Sequence, residues 1–220
     1  MQLHRPRPSS GTIRVVTTAQ SVSILDRLPP TPGVAWWMAR IQTRAEAMGL
    51  LGPGPHVRQL SPPAFLAALD ALGAVGVARS AFAALEAGAD PEVALAAIDE
   101  ALAASPVPAS EWSALTDVLG DDLTSKLVGV SSTSARRYRA GTRTTPDEVA
   151  ERLHFLALVV ADLAGAYNAV GIRSWFSRPR PQLDGRSPAA LLTDGWRADD
   201  SEPRSVADLA AALVGAGPST

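Results

Sequence analysis

The 220-residue chain contains no cysteine, which excludes disulfide staples, thiolate nucleophiles and cysteine-ligated zinc, and fits a reducing compartment. Lysine is nearly missing too: Lys126 stands alone beside nineteen arginines, the balance of a GC-rich coding sequence. The three histidines, His4, His56 and His154, are scattered, two in Pro-rich or loop contexts and one on an apolar helix, so neither a catalytic triad nor a metal-ligand spacing emerges. No glycine-rich phosphate loop follows a strand, and strand-like segments hardly occur. The chain is therefore not expected to be an enzyme, and no cofactor or metal is expected. Long apolar runs are also lacking. The longest, Phe155 to Ala166, is broken by Asp162 and is too short to span a bilayer. The start, Met1 to Ser10, is polar and Pro-rich with no apolar stretch behind it, so no secretory signal and no membrane contact are expected, and the expected location is cytoplasmic. A net charge of −2 provides no overall field towards nucleic acid, so any such affinity must be local.

What is present is apolar and helical. With 46% apolar residues, the chain can bury a real core in one or two domains. The pattern is all-α. Residues 1 to 33, with Pro6, Pro8, Pro29, Pro30 and Pro32 around a β-prone run from Thr12 to Thr18, read as a disordered arm. Residues 34 to 106 read as an Ala-rich helical module. A first helix covers Trp36 to Met48, Gly49 to Pro55 breaks it, and helix starts are written at Ser61-Pro62 and Asp90-Pro91-Glu92. Ser105 to Ala109, with two prolines, is the expected boundary.

Residues 110 to 145 read as a helix-turn-helix domain. Ser110-Glu111 is expected to cap a helix running to Leu119, and Asp121 or Asp122 a second running to Val128. The turn Gly129-Val130-Ser131 then supplies a residue able to take positive φ, an apolar anchor and an N-cap oxygen, which is what a tight corner between short helices needs. A third helix follows to Ala140, stopped by Gly141. Its Ala135 and Tyr138 sit three apart for packing, leaving Ser132, Thr133, Arg136, Arg137 and Arg139 on other faces. With Arg143, these are the candidate DNA-binding residues; no carboxylate interrupts the sequence between Gly129 and Pro146. Four arginines on phosphates would give log K a slope of about −3.6 against log salt per protomer. That is weak for one copy, so a dimer on two half-sites of operator DNA is expected.

Residues 146 to 217 open with the strongest helix signal, Pro146 to Asn168, with Thr145 as N-cap and Glu148 completing a capping box. Val149, Leu153, Leu156, Val160, Leu163 and Tyr167 form one stripe, widened by Phe155, Leu158 and Val159, so this helix must be covered on more than one side. From Gly171 the chain reads GIRSWFSRPRPQLDGRSPAALL. Trp175 is expected in the core and its neighbour Phe176 more exposed, since adjacent helical residues point about 100° apart.

A helix-turn-helix, a long helix, a Gly-x-x-x-Trp-Phe element, a Pro-x-Leu-x-Gly-x-x-Pro stretch and a short last helix resemble the Xre/MbcA/ParS family of bacterial antitoxins, over Ser110 to Gly215. Trp175, Phe176, Pro179, Leu183, Gly185, Pro188, Leu191 and Leu192 carry the likeness. The resemblance implies an antitoxin of a type II pair. Its C-terminal domain would occlude a RES-type NAD-degrading toxin, and its helix-turn-helix would repress the shared operon. By that analogy Trp175, Phe176, Arg178, Arg180, Leu183 and Arg186 would face the toxin, with a closing helix from Ser205 to Gly217. Two other readings stay open. One is a stand-alone helix-turn-helix regulator with no toxin; the other is a scaffold whose basic helix never touches DNA.

Overall fold

Four helix starts are written by one device, an N-cap side chain followed at once by proline, whose missing N–H would go unused there and whose φ is already helical. Thr31 accepts a hydrogen bond from the Val34 amide, Ser61 from Ala64, Asp90 from Glu92 and Val93, and Ser187 from Ala190. The protein is described here from a computed structural model covering residues 24–52, 61–193 and 195–215. These residues form α1 (Pro32–Ala47), α2 (Pro62–Val75), α3 (Arg79–Glu86), α4 (Pro91–Ala103), α5 (Pro108–Leu119), α6 (Asp121–Val128), α7 (Ser132–Arg139), α8 (Asp147–Ala164), α9 (Ala169–Ser177), α10 (Pro188–Leu191) and α11 (Ser201–Ala211). A 3-10 turn covers Pro181–Leu183, and no strand occurs among the described residues. The fold is all-α. No single helix among them is long and apolar enough to cross a membrane.

The arm expected over residues 1 to 33 lies outside the described residues as far as residue 23, its β-prone run included. Its remainder differs from expectation. Ile24 is buried in the core, Leu25 and Leu28 pack against it, and Arg27 donates to the Glu86 carbonyl. Pro32, one of the prolines that suggested disorder, instead opens α1, with Thr31 as its cap.

α8 is the spine. α1 and α5 pack along it, α11 covers a further side, and α9 turns back from its end at 117°. Val149, Leu153, Phe155, Leu156, Val159, Val160 and Leu163 are all buried, so the wide stripe is covered on several sides as expected. α8 is shorter at both ends than its pattern suggests. It starts at Asp147 without a side-chain cap, because Thr145 Oγ1 instead accepts the Trp112 indole N–H at 3.0 Å. It stops at Ala164, and Asn168 caps α9. At the corner a Cβ on Gly171 would come 3.0 Å from that of Tyr167, which keeps the position small.

The Ala-rich module is continuous with this spine. Arg40 of α1 reaches Asp99 of α4 at 3.1 Å and Asp162 of α8 at 3.2 Å, and Arg44 reaches Asp99 at 2.8 Å. Two cations and two anions thus balance where three helices meet. Burial raises the Asp162 carboxyl above its ordinary value, against the attraction of Arg40 and Arg44. It also lowers the Arg44 guanidinium, against the pull of Asp99. At the expected boundary, Nε2 of buried His154 lies 3.0 Å from the Ala103 carbonyl, and Nδ1 lies 2.6 Å from Glu111 Oε1. A carbonyl only accepts, so Nε2 is the donor to Ala103.

Candidate nucleic-acid interface

Three short helices build the candidate interface. α5 begins at Pro108, two residues before the expected Ser110-Glu111 start, and Glu111 is fully buried against His154, so it does not act as a cap. α6 begins after Gly120; Asp121 and Asp122 stand in its first turn, where they complement the helix dipole without capping through their side chains. Gly129, at φ 78°, ends α6 as expected, a backbone that β-carbon-bearing residues rarely adopt. Its amide bonds to the Lys126 carbonyl and that of Val130 to the Ser125 carbonyl, the paired closure of a Schellman turn. Ser131 Oγ then accepts from the Ser134 amide at 3.2 Å and opens α7, as its N-cap position implies.

Behind α7 the packing is aromatic. Ala135 and Tyr138 are buried, and Tyr138 stacks on Trp112 with ring centroids 5.8 Å apart. The Arg143 guanidinium lies over the outer side of the same tyrosine, 5.4 Å from its centroid. Helical geometry puts Thr133, Arg136 and Arg137 opposite Ala135 and Tyr138, with Ser132 and Arg139 on one flank. Thr133, Arg136, Arg137, Arg139 and Arg143 are all exposed, and Ser132 is partly so. The six candidate residues therefore lie together, and among the described residues no helix is laid across the arginines. One is modified by a partner distant in sequence. Arg139 Nη1 lies 2.9 Å from Asp121 Oδ1, so the carboxylate missing from the local sequence is supplied by α6.

The expected partner-binding set divides differently. Trp175, Phe176 and Leu183 are only 2%, 0% and 3% exposed, so they belong to the core and are corrected as contact residues. Phe176 is as buried as Trp175, because the two rings meet edge to face at 5.2 Å while α9 is held against α5, α8 and α10. Arg180 is drawn inward, its guanidinium 5.4 Å from the centre of the Trp175 ring. Arg178 is exposed, as is Arg186, which pairs with Glu202 at 2.6 Å. The closing helix runs from Ser201 to Ala211 rather than from Ser205 to Gly217; the extended backbone of Asp200 stands at its N-cap position without a side-chain cap, and Pro203 is tolerated in the first turn. Residues 216 and 217 lie outside the described residues.

Trp196 was not singled out from the sequence, yet it is buried, meets Phe155 edge to face at 5.0 Å, and donates its indole N–H to the Leu127 carbonyl at 2.8 Å. A lone tryptophan in a polar, loop-like stretch was the available signal. Among the described residues no cluster of three or more His, Asp or Glu could hold a metal ion. Compared with known proteins, the chain matches no family model, no curated protein and no solved structure.

Proposed function

We propose that this chain is a DNA-binding repressor of the antitoxin type, with α7 as the helix that enters the major groove. The observation that supports it is the unobstructed face of Thr133, Arg136 and Arg137 on a short helix whose opposite side is fixed by Trp112 and Tyr138. A rigid support with a free cationic face suits groove reading. Side chains early in the helix reach base edges, while arginines neutralise phosphates and set the register. Arg143, held over Tyr138 just beyond α7, extends the cationic edge. Two copies acting on adjacent half-sites would supply the affinity that three or four phosphate contacts lack.

The partner half of the proposal comes from the family resemblance: a RES-type toxin held by the C-terminal region. The surface available for it is the exposed edge carrying Arg178 and Arg186, suited to carboxylates on a partner. The burial of Trp175, Phe176 and Leu183 favours a second reading, a stand-alone regulator that keeps the fold without a toxin.

Selection from a randomised duplex library, followed by anisotropy titration, tests the DNA half. Arg136→Ala with Arg137→Ala should abolish binding while leaving the fold intact, and a double variant that binds like the parent would remove α7 from the interface. Co-expression with a RES-type toxin tests the other half. Rescue of growth that is lost in Arg178→Glu with Arg186→Glu supports the antitoxin, and absence of rescue by the parent chain leaves the stand-alone regulator.

A further inference from the structure

A helix end leaves its last carbonyls without intrahelical partners, and at α6 every one of them can be accounted for. The Schellman closure takes the Ser125 and Lys126 carbonyls. The next two are taken by side chains from far along the chain. The Trp196 indole donates to the Leu127 carbonyl at 2.8 Å, and Arg152 Nη1 donates to the Val128 carbonyl at 3.3 Å. Arg152 Nε also donates to the Trp196 carbonyl at 2.7 Å, so the two side chains are tied to each other as well as to α6. Trp196 is buried, 5% exposed, and the Arg152 side chain is largely covered, 13% exposed. Arg152 Nη1 would lie 3.5 Å from a Cβ built on Gly129, which puts the guanidinium directly behind the turn that launches α7.

We infer that Arg152 and Trp196 are positioning residues for DNA recognition, a clamp that fixes the direction in which α7 leaves the turn. Residues 195 to 200, remote in sequence from α7, thereby belong to the DNA-binding machinery. The inference rests on the DNA-binding function proposed above. Its physical basis is that α7 is only two turns long and packs on α5 and α6, so its direction follows from the end of α6 and the Gly129-Val130-Ser131 corner. Releasing one carbonyl there lets the corner relax. Phosphate contacts tolerate a small tilt, because arginine side chains are long and phosphates recur along the groove. Base-edge contacts need a fixed geometry and do not tolerate it.

The clamp therefore acts on specificity more than on total charge contact. A purely structural cap would behave otherwise: its loss would lower the folded fraction, and specific and non-specific binding would fall together.

The test uses the full chain and two substitutions. Trp196→Phe keeps an aromatic ring against Phe155 but removes the indole donor together with part of the ring. Arg152→Lys keeps the charge and stem but loses the planar fork that bridges two carbonyls. Anisotropy is measured on the selected duplex and on a scrambled duplex of equal length, over a range of salt, alongside circular dichroism. The expected result is a loss of about tenfold in the specific-to-non-specific affinity ratio, the scale of one base contact, with an unchanged salt slope. A ratio kept within about twofold in the folded Arg152→Lys chain overturns the clamp, even where Trp196→Phe fails to fold. A parent chain with no preference for any duplex removes the DNA-binding function, and the clamp with it. That failure is visible before any variant is made.

Discussion

Asp121 is the residue whose removal most directly tests the electrostatics of the interface. Its carboxylate holds Arg139 at 2.9 Å, with 35% of the arginine side chain and 58% of the aspartate exposed. A pair this accessible contributes no more than about 1 kcal/mol to stability, so Asp121→Asn leaves the fold intact. Its effect on DNA is larger in relative terms. With Arg139 neutralised, Arg136, Arg137 and Arg143 give a slope of log K against log salt of about −2.7 per protomer; freeing the fourth arginine takes it to about −3.6. At about 0.15 M salt the additional counterion release multiplies affinity by about 5 per protomer, or about 1 kcal/mol. A dimer on two half-sites would show the square of that factor. Anisotropy titrations of parent and variant over about 50 to 300 mM salt read both quantities in one experiment. Parallel lines of equal slope would refute the reasoning, because they would mean that Arg139 does not reach phosphate or that Asp121 does not compete for it.

Asp99→Ala strips the anion shared by Arg40 and Arg44 and leaves the buried Arg44 and the partly buried Arg40 with Asp162 alone, so a loss of about 3 kcal/mol is expected in urea denaturation; a loss under about 1 kcal/mol would sink that account. Asp162 carries a pH signature. Its carboxyl is raised above the ordinary 3.8 by burial, so the folded chain holds this proton more tightly than the unfolded chain. The stabilisation is complete below the unfolded value and is lost as pH rises through the folded one. Asp162→Asn removes that loss, and its advantage over the parent should widen from acid towards neutral pH in matched denaturation curves. Finally, the His154 bonds and the Arg40 network join the Ala-rich module to the rest, so tryptophan fluorescence and far-ultraviolet circular dichroism should report one coincident unfolding transition; two separated transitions would show the module to be independent.

Much of the helical pattern is legible in the sequence because it is local. Ser61-Pro62, Asp90-Pro91, and Gly129 with Ser131 each specify a terminus within four residues, and each is found where expected. The errors arise where a side chain has a better partner far away. Thr145 looks like an N-cap but serves Trp112, and Glu111, expected with Ser110 as a cap, is buried with His154. Asp121 looks remote from the basic helix, yet pairs with Arg139 across the turn. No window along one chain reveals these choices. The arginine face of α7 could be read because exposure follows from the spacing of Ala135 and Tyr138. The C-terminal contact set could not, because adjacent Trp175 and Phe176 are both buried only where α9 is covered from several directions at once.

The same long-range bonds bear on how the two proposed activities are related. Reading along the chain suggests a DNA-binding unit and a partner-binding unit joined in series, separable by mutation. Three arginine and tryptophan contacts argue against so simple a division. Arg173 of α9 donates to the Val118 carbonyl near the end of α5, Arg152 of α8 to Val128, and Trp196 to Leu127. The ends of both helices that support α7 are thus closed by side chains from the C-terminal half. A partner that shifts α9 or residues 195 to 200 changes what holds those carbonyls, and so changes the support of α7, without approaching the DNA. Conversely, DNA bound as proposed would fix α7 and stiffen the C-terminal surface through the same bonds. Linkage requires any such effect to be equal in both directions. The arginine and indole donors at these helix ends are therefore the places where coupling between partner and DNA would be carried, and Arg152, bonded to both Val128 and Trp196, is its most direct carrier.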